Sequence, residues 1–309
     1  MNLSGRRTKV LVMDWRDRFD SIRRWQRGDA RAPHKPLLLL YALGHHQRHG
    51  DAPISYGDAE AHLARLLREF GPPNRTTPAY PFHHLVSDGL WTVTTVDGGG
   101  SPGPSPRRLR EKEALGRLAP ELGDALRSDP ALSARLALHL LDTSFPPSLH
   151  QEILAETGLS LGTVVTEAPG RGGARDPRFR DLVLTAYEHR CAFCGYGGRI
   201  DGVSVGLEAA HVRWWAYRGP SSLDNGLCLC SIHHLLFDRG AVGLTPELTV
   251  TVSSRFETRS PEAGRLVHAL AGRPALRPGA GSPAVAAEHV AWHASQVFRN
   301  PAREERDTG

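Results

Sequence analysis

The sequence predicts an α+β protein in two parts: a mostly helical N-terminal domain with a short β element, and a smaller C-terminal domain in which strands and a helix are tied by a metal. Three observations predict it. Helical periodicity dominates residues 13 to 165, and a stretch without periodicity, rich in Gly, Pro and charge, runs from 166 to 177 as a linker. All four cysteines of the 309-residue chain, Cys191, Cys194, Cys228 and Cys230, fall within the last part, residues 178 to 300. At this length each half can bury a core of its own.

Composition narrows the class further. Hydrophobic residues make up 40% and charged residues 23%, which excludes disordered and fibrous chains. No apolar run approaches the roughly 18 residues of a membrane span. The opening MNLSGRRTKVLV lacks the apolar core and cleavage site of a secretory signal, Met13 is an alternative start, and a cytoplasmic location is expected. In a reducing compartment clustered thiols point to metal before disulfides. The formal charge of +5 favours a polyanionic partner such as nucleic acid, although coding bias toward Arg would produce the same excess.

The elements follow in order. Trp15, Phe19, Ile22 and Trp25 recur at helical spacing, with Gly28 as the stop. Pro36 opens the apolar run Leu37 to Leu43 of a buried helix, and His45, His46 and His49 form its polar end. DAEAHLARLLREFG is a further helix ending at Gly71. AYPFHHLVSDGLWTVTTV reads as an aromatic-rich segment, a turn at Asp88-Gly89 and a short strand. Helical patterns return at 107 to 118, 131 to 141 and 148 to 157, and beyond the linker in FRDLVLTAYEHR and EHVAWHASQVF.

The chemistry lies around the cysteines. Cys191-x2-Cys194 is a knuckle whose thiolates can share one zinc, and Cys230-x2-His233 at the start of a helix supplies the second half of a tetrahedron. Cys228 competes with Cys230, but the alternation in NGLCLC places it in a strand, and Cys230 is preferred. Neighbouring side chains on a helix diverge by about 100°, so if His233 faces the zinc, His234 faces elsewhere, toward a second site. His211, at the end of a strand in LEAAHVRWW, and Asn225, in the loop that follows, are its candidate partners.

Residues 178 to 245, through AAH, the DNG turn, the two zinc half-sites and HHLLFDRG, closely resemble the ββα-metal, or HNH, nucleases of the McrA-like type. The resemblance implies that His211 activates the attacking water, His234 ligates one catalytic divalent ion such as Mg or Mn, and Asn225 orients the catalytic loop. Many relatives carry an acidic metal ligand immediately before the first His. Here Ala210 stands there, and Glu208 is the candidate replacement, while Asp238 is expected to tie down the helix and its following turn. Phosphodiester hydrolysis needs such a set: a base near neutrality and a cation for the charge that grows on phosphorus.

In the first domain, APHKPLLLLYALG, AYPFHHLVSDGLW and FPPSLHQEIL resemble the sulfur-binding domain joined to HNH modules in phosphorothioate-dependent restriction endonucleases. That likeness implies a double-stranded, phosphorothioated DNA partner. It places Tyr80 and Pro81 in the sulfur pocket with Phe82, His83 and His84 nearby, and His34-Lys35 on the surrounding backbone and bases. Arg107, Arg108 and Arg110 are candidate phosphate contacts. Sulfur in place of a non-bridging oxygen is larger and less strongly hydrated, so an apolar surface accepts it where it would reject phosphate. A double-strand break needs two nicks and the chain has one such site, so a homodimer is expected. Two rivals stay open: an HNH endonuclease reading another mark or unmodified sequence, and a non-catalytic, zinc-containing DNA-binding regulator.

Overall fold

A computed structural model describes residues 15–22, 32–73, 76–162 and 178–303. The expected linker at 166–177, together with Met13, Trp25 and Gly28, lies outside them. Among the described residues no helix is long and apolar enough to cross a membrane.

The N-terminal half is built around one helix. α1 (Trp15–Asp20) precedes α2 (His34–His49), in which Leu37, Leu38, Leu39 and Leu40 are all essentially inaccessible. Four successive residues point in every direction around a helix, so α2 is buried on all sides and other elements pack round it. β1 (Ile54–Ser55) leads into α3 (Tyr56–Phe70), whose N-cap Ser55 accepts from the Asp58 amide at 3.4 Å.

The aromatic segment AYPFHH, to which the sequence assigned no element, is α4 (Ala79–His84). It buries Phe82 edge-on against Trp91, with ring centroids 5.3 Å apart. β2 (Trp91–Thr94) follows the turn at Gly89, which takes φ 69°. The expected helix over 107–118 is instead α5 (Pro106–Glu111) followed by β3 (Leu115–Leu118). Glu113 at φ 44° breaks the helix, and the chain then gains a ladder on both sides. β3 is the central strand of an antiparallel sheet of order β1-β3-β2, in the register Trp91↔Leu118 and Ile54↔Gly116. Gly116 permits this, since a Cβ there would lie 2.0 Å from the Trp91 ring. α6 (Pro120–Ser128), α7 (Pro130–Ser144) and α8 (His150–Thr157) complete the half; α6 was not anticipated.

The C-terminal half begins with α9 (Arg178–Ala186) and the cysteine knuckle, followed by a small hairpin, β4 (Arg199–Ile200) and β5 (Val203–Ser204). β6 (Leu207–His211) pairs antiparallel with β7 (Gly226–Cys230), in the register Leu207↔Cys230 to His211↔Gly226. α10 (Ser231–Asp238) leaves β7 directly. Beyond it come β8 (Val242–Leu244) paired with β9 (Val250–Val252), then α11 (Pro261–Val267) and α12 (Ala287–Gln296).

The two halves are not separate beads. Trp214, Trp292 and Val297 of the second belong to the buried core of the first. Arg239 pairs with Glu152 and lies over the Phe70 ring at 4.7 Å, while Arg299 donates to the Glu69 and Gly71 carbonyls, each at 3.0 Å, at the end of α3.

Candidate active site and metal centre

The knuckle and the start of α10 converge. Cys191, Cys194, Cys230 and His233 bring their donor atoms within 4.8 Å of one another. His233 Nδ1 lies 3.5 Å from Cys191 Sγ and 3.3 Å from Cys230 Sγ, and its Nε2 donates to the Leu266 carbonyl at 3.1 Å. That outer bond fixes the tautomer that leaves Nδ1 as the ligand atom. Cys228, two residues back along β7 and opposite Ala209, is buried and outside the group.

Charge is concentrated here. Hydrogen bonding from Cys194, Cys230 and His233 pulls the Cys191 thiol far below its ordinary range, and the same sharing pushes Cys194 up. Burial opposes protonation of His233, yet the Cys191 and Cys230 sulfurs raise it to about 10. Three sulfurs and one imidazole that compete for protons in this way suit a tetrahedral cation such as zinc, in a closed site.

One residue on, His234 faces the other way. Its Nδ1 meets Glu208 Oε2 at 2.6 Å and its Nε2 meets Asp238 Oδ2 at 3.2 Å. Burial disfavours the charged ring, but Asp238 and Glu208 outweigh it and raise His234 to about 10. The hydrogen bond from His234 correspondingly holds Glu208 down at about 2. Asp238 therefore does not simply fasten the turn after α10, as the sequence suggested. It is turned inward against His234, one helical turn away, and its Oδ1 is buried with no hydrogen-bond partner among the described residues.

His211 sits across from this group. The two histidines line one cavity of ≈ 410 Å³ together with Glu208 and Asp238. The His211 ring stacks on Phe179 of α9, with centroids 4.1 Å apart, and its Nε2 lies 3.1 Å from the Ser221 hydroxyl. Asn225 is fully buried outside the cavity wall and acts on backbone. Its Oδ1 accepts from the Arg213 amide at 2.7 Å, and its Nδ2 donates to the Arg213 and Pro220 carbonyls, each at 2.9 Å. The loop between β6 and β7 is thus pinned at both ends by one side chain. Gly219 is required within it, because a Cβ there would fall 1.8 Å from the Arg213 carbonyl oxygen.

In the N-terminal half the residues singled out by sequence divide. Tyr80 is 54% exposed and packs on His84, with ring centroids 4.8 Å apart. Pro81 is buried in α4, so Tyr80 alone of the pair offers an exposed face. Lys35 differs more. Its ammonium lies 2.6 Å from Asp88, whose side chain is 3% exposed, so it ties the start of α2 to the turn after α4. His34 is half-buried at the same helix start. Arg107 and Arg108 are exposed at the start of α5, beyond the loop whose Ser101 hydroxyl meets His83 Nδ1 at 2.7 Å. Arg110 is committed to Glu60 through bonds of 2.8 and 2.6 Å.

Residues 12–161 match the family model of the ScoMcrA-like DNA sulfur-binding domain, and residues 191–245 match that of an HNH endonuclease. The chain joins a DNA sulfur-binding domain to an HNH endonuclease domain. Similar solved structures include the sulfur-binding domain of ScoMcrA complexed with phosphorothioated DNA, 24% identical over 47% of this chain and 95% of that one, with a TM-score of 0.40. The corresponding domain of SprMcrA, also complexed with phosphorothioated DNA, is 26% identical over 47% and 93%, again at 0.40. For ScoMcrA, a Type IV phosphorothioation-dependent restriction endonuclease, the match is 24% identical over 47% of this chain but 27% of that one, at 0.37. No curated protein matches the chain.

Two features of the HNH domain escaped the sequence reading. The i, i+4 spacing of His234 and Asp238 was visible in HHLLFD and is the signal that would have put both on one helix face. The other could not be seen locally: the cavity has a wall from the sulfur-binding domain, at Phe145, Pro146, Pro147 and Ser148.

Proposed function

We propose that this protein is a modification-dependent DNA endonuclease that binds phosphorothioated duplex through residues 13–165 and hydrolyses phosphodiesters nearby through residues 178–300. The observation that carries the reading is the pair of unlike histidine centres on α10: a closed Cys3His group, and beside it an open cavity holding His211 and His234 in a chain that also has a sulfur-binding domain.

Cys191, Cys194, Cys230 and His233 would hold a structural zinc. His234 and Glu208 would hold a divalent ion such as Mg or Mn, and Asp238 is added to that set. Oxygen and imidazole donors suit hard divalent ions, and the unpartnered Asp238 Oδ1 is a buried acceptor short of a cation. Such an ion supplies Lewis-acid neutralisation of the charge developing on the phosphoryl oxygens.

The remaining work falls to the chain. His211 takes a proton from the attacking water as its oxygen bonds to phosphorus and the bond to the leaving sugar oxygen breaks. Phe179 and Ser221 hold that imidazole in place, and Asn225 holds the loop on which Ser221 rides. In the sulfur-binding domain, Tyr80 with His84 presents the apolar face for sulfur, flanked by Pro81. Arg107 and Arg108 contact phosphates, while His34 and Lys35 shape the rim. Two copies acting on one duplex would supply the two nicks of a double-strand break.

The deciding experiment compares cleavage of matched duplexes with and without backbone sulfur, in the presence of Mg or Mn. Cutting confined to the sulfur-bearing duplex is expected. Equal cutting of both removes the sulfur assignment, and no metal-dependent nicking of either removes the nuclease.

A further inference from the structure

We infer that Ser148, supplied by the sulfur-binding domain, is a positioning residue of the hydrolytic site: it holds the Asp238 carboxylate against His234. Ser148 Oγ donates to Asp238 Oδ2, the same oxygen that His234 Nε2 approaches at 3.2 Å. The Asp238 side chain is 1% exposed, and its other oxygen has no hydrogen-bond partner among the described residues. Ser148 is therefore a principal restraint on the rotation of a buried carboxylate that faces a cavity.

The segment that carries Ser148 is built to be stiff. Pro146 and Pro147 fix two successive φ angles, Phe145 and Leu149 on either side are buried, and the Phe145 carbonyl is bonded by His150 Nε2 at 3.1 Å. The hydroxyl is thus presented from a rigid turn 90 residues away in sequence. A different contact along the same seam serves as a control: Glu152, four residues further along in α8, pairs with Arg239 just past α10, and neither lines the cavity.

This inference rests on reading His234 as a ligand of the hydrolytic ion. The test uses the full-length, zinc-loaded protein without DNA. Binding of Mn2+ is followed by the electron paramagnetic resonance of the free ion, and the thermal midpoint is recorded for each protein. In the wild type, Mn2+ binding that disappears in His234→Ala defines the site. Ser148→Ala is expected to weaken it by roughly three- to tenfold, the scale of one charge-assisted hydrogen bond. Ser148→Thr, which keeps the hydroxyl, stays close to wild type, and Glu152→Gln leaves Mn2+ affinity unchanged. Wild-type affinity in Ser148→Ala, or an equal loss in Glu152→Gln, overturns the role of Ser148. If wild type and His234→Ala bind Mn2+ alike, it is the ion site itself that falls, and the role of Ser148 falls with it.

Discussion

His233 and His234 are adjacent on one helix and live in opposite surroundings. His233 is enclosed by sulfurs with its far nitrogen tied to a backbone carbonyl, whereas His234 stands between two carboxylates at the edge of a cavity. A centre whose donors are exhausted by one another and by an ion serves the fold; a centre with an unused acceptor and empty volume beside it serves chemistry. Residue type does not separate the two, and direction on the helix does.

The contrast can be broken most severely at the closed centre. Cys230→Ala is expected to abolish cooperative unfolding of the HNH domain, since structural zinc contributes on the order of 10 kcal/mol to small domains that depend on it. Cys228→Ala, two residues away within β7 and outside the ligand group, should cost only about 1–2 kcal/mol in chemical denaturation. Equal damage by both would mean that the wrong sulfur has been assigned. At the open centre, His211→Ala should lower cleavage by roughly 10²–10⁴-fold, the span of one acid–base group. Its melting temperature and affinity for duplex should be unchanged, and wild-type cutting would remove His211 as the base.

Asn225→Ala lies between these extremes. It removes three hydrogen bonds to the backbone of Arg213 and Pro220, and about 2–4 kcal/mol of lost stability is expected by denaturant titration, with cleavage reduced because the 212–220 loop loosens. An unchanged denaturation midpoint would contradict the pinning role. Smallest is Tyr80→Ala: its ring is largely in solvent, so stability should hold, while affinity for sulfur-marked duplex, read by fluorescence anisotropy, falls by about 1–2 kcal/mol. A similar fall on unmarked duplex would make Tyr80 a general DNA contact instead.

The two domains also differed in how far their sequences could be read. In the HNH domain short spacings fix chemistry. C-x2-C and C-x2-H dictate shared coordination, and the alternation of NGLCLC places Cys228 within a strand before any fold is known. The sulfur-binding domain offers fewer such constraints. EKEALGRL is rich in helix formers and reads as helix, yet Gly116, packed under the Trp91 ring, lets the segment serve as the middle strand of a sheet, a packing that involves residues 25 positions apart. AYPFHH shows no readable period because Pro81 and the aromatics mask a short helix. Lys35 carries the residue type of a phosphate contact, and only the fold reveals that Asp88 already holds it. Ser148 on Asp238 is the limiting case, since neither residue has any local feature that announces the other.

Trp214, Trp292 and Val297 sit in the hydrophobic interior of the reader. It follows that the cutter is not a portable cassette. Severing the chain between residues 162 and 178 and grafting either piece onto a foreign partner would strand two indoles in water and strip the hydrolytic chamber of its proline-lined side. Exchange of specificity within this architecture is therefore expected to proceed by altering loops around Tyr80, with the seam between the halves left intact.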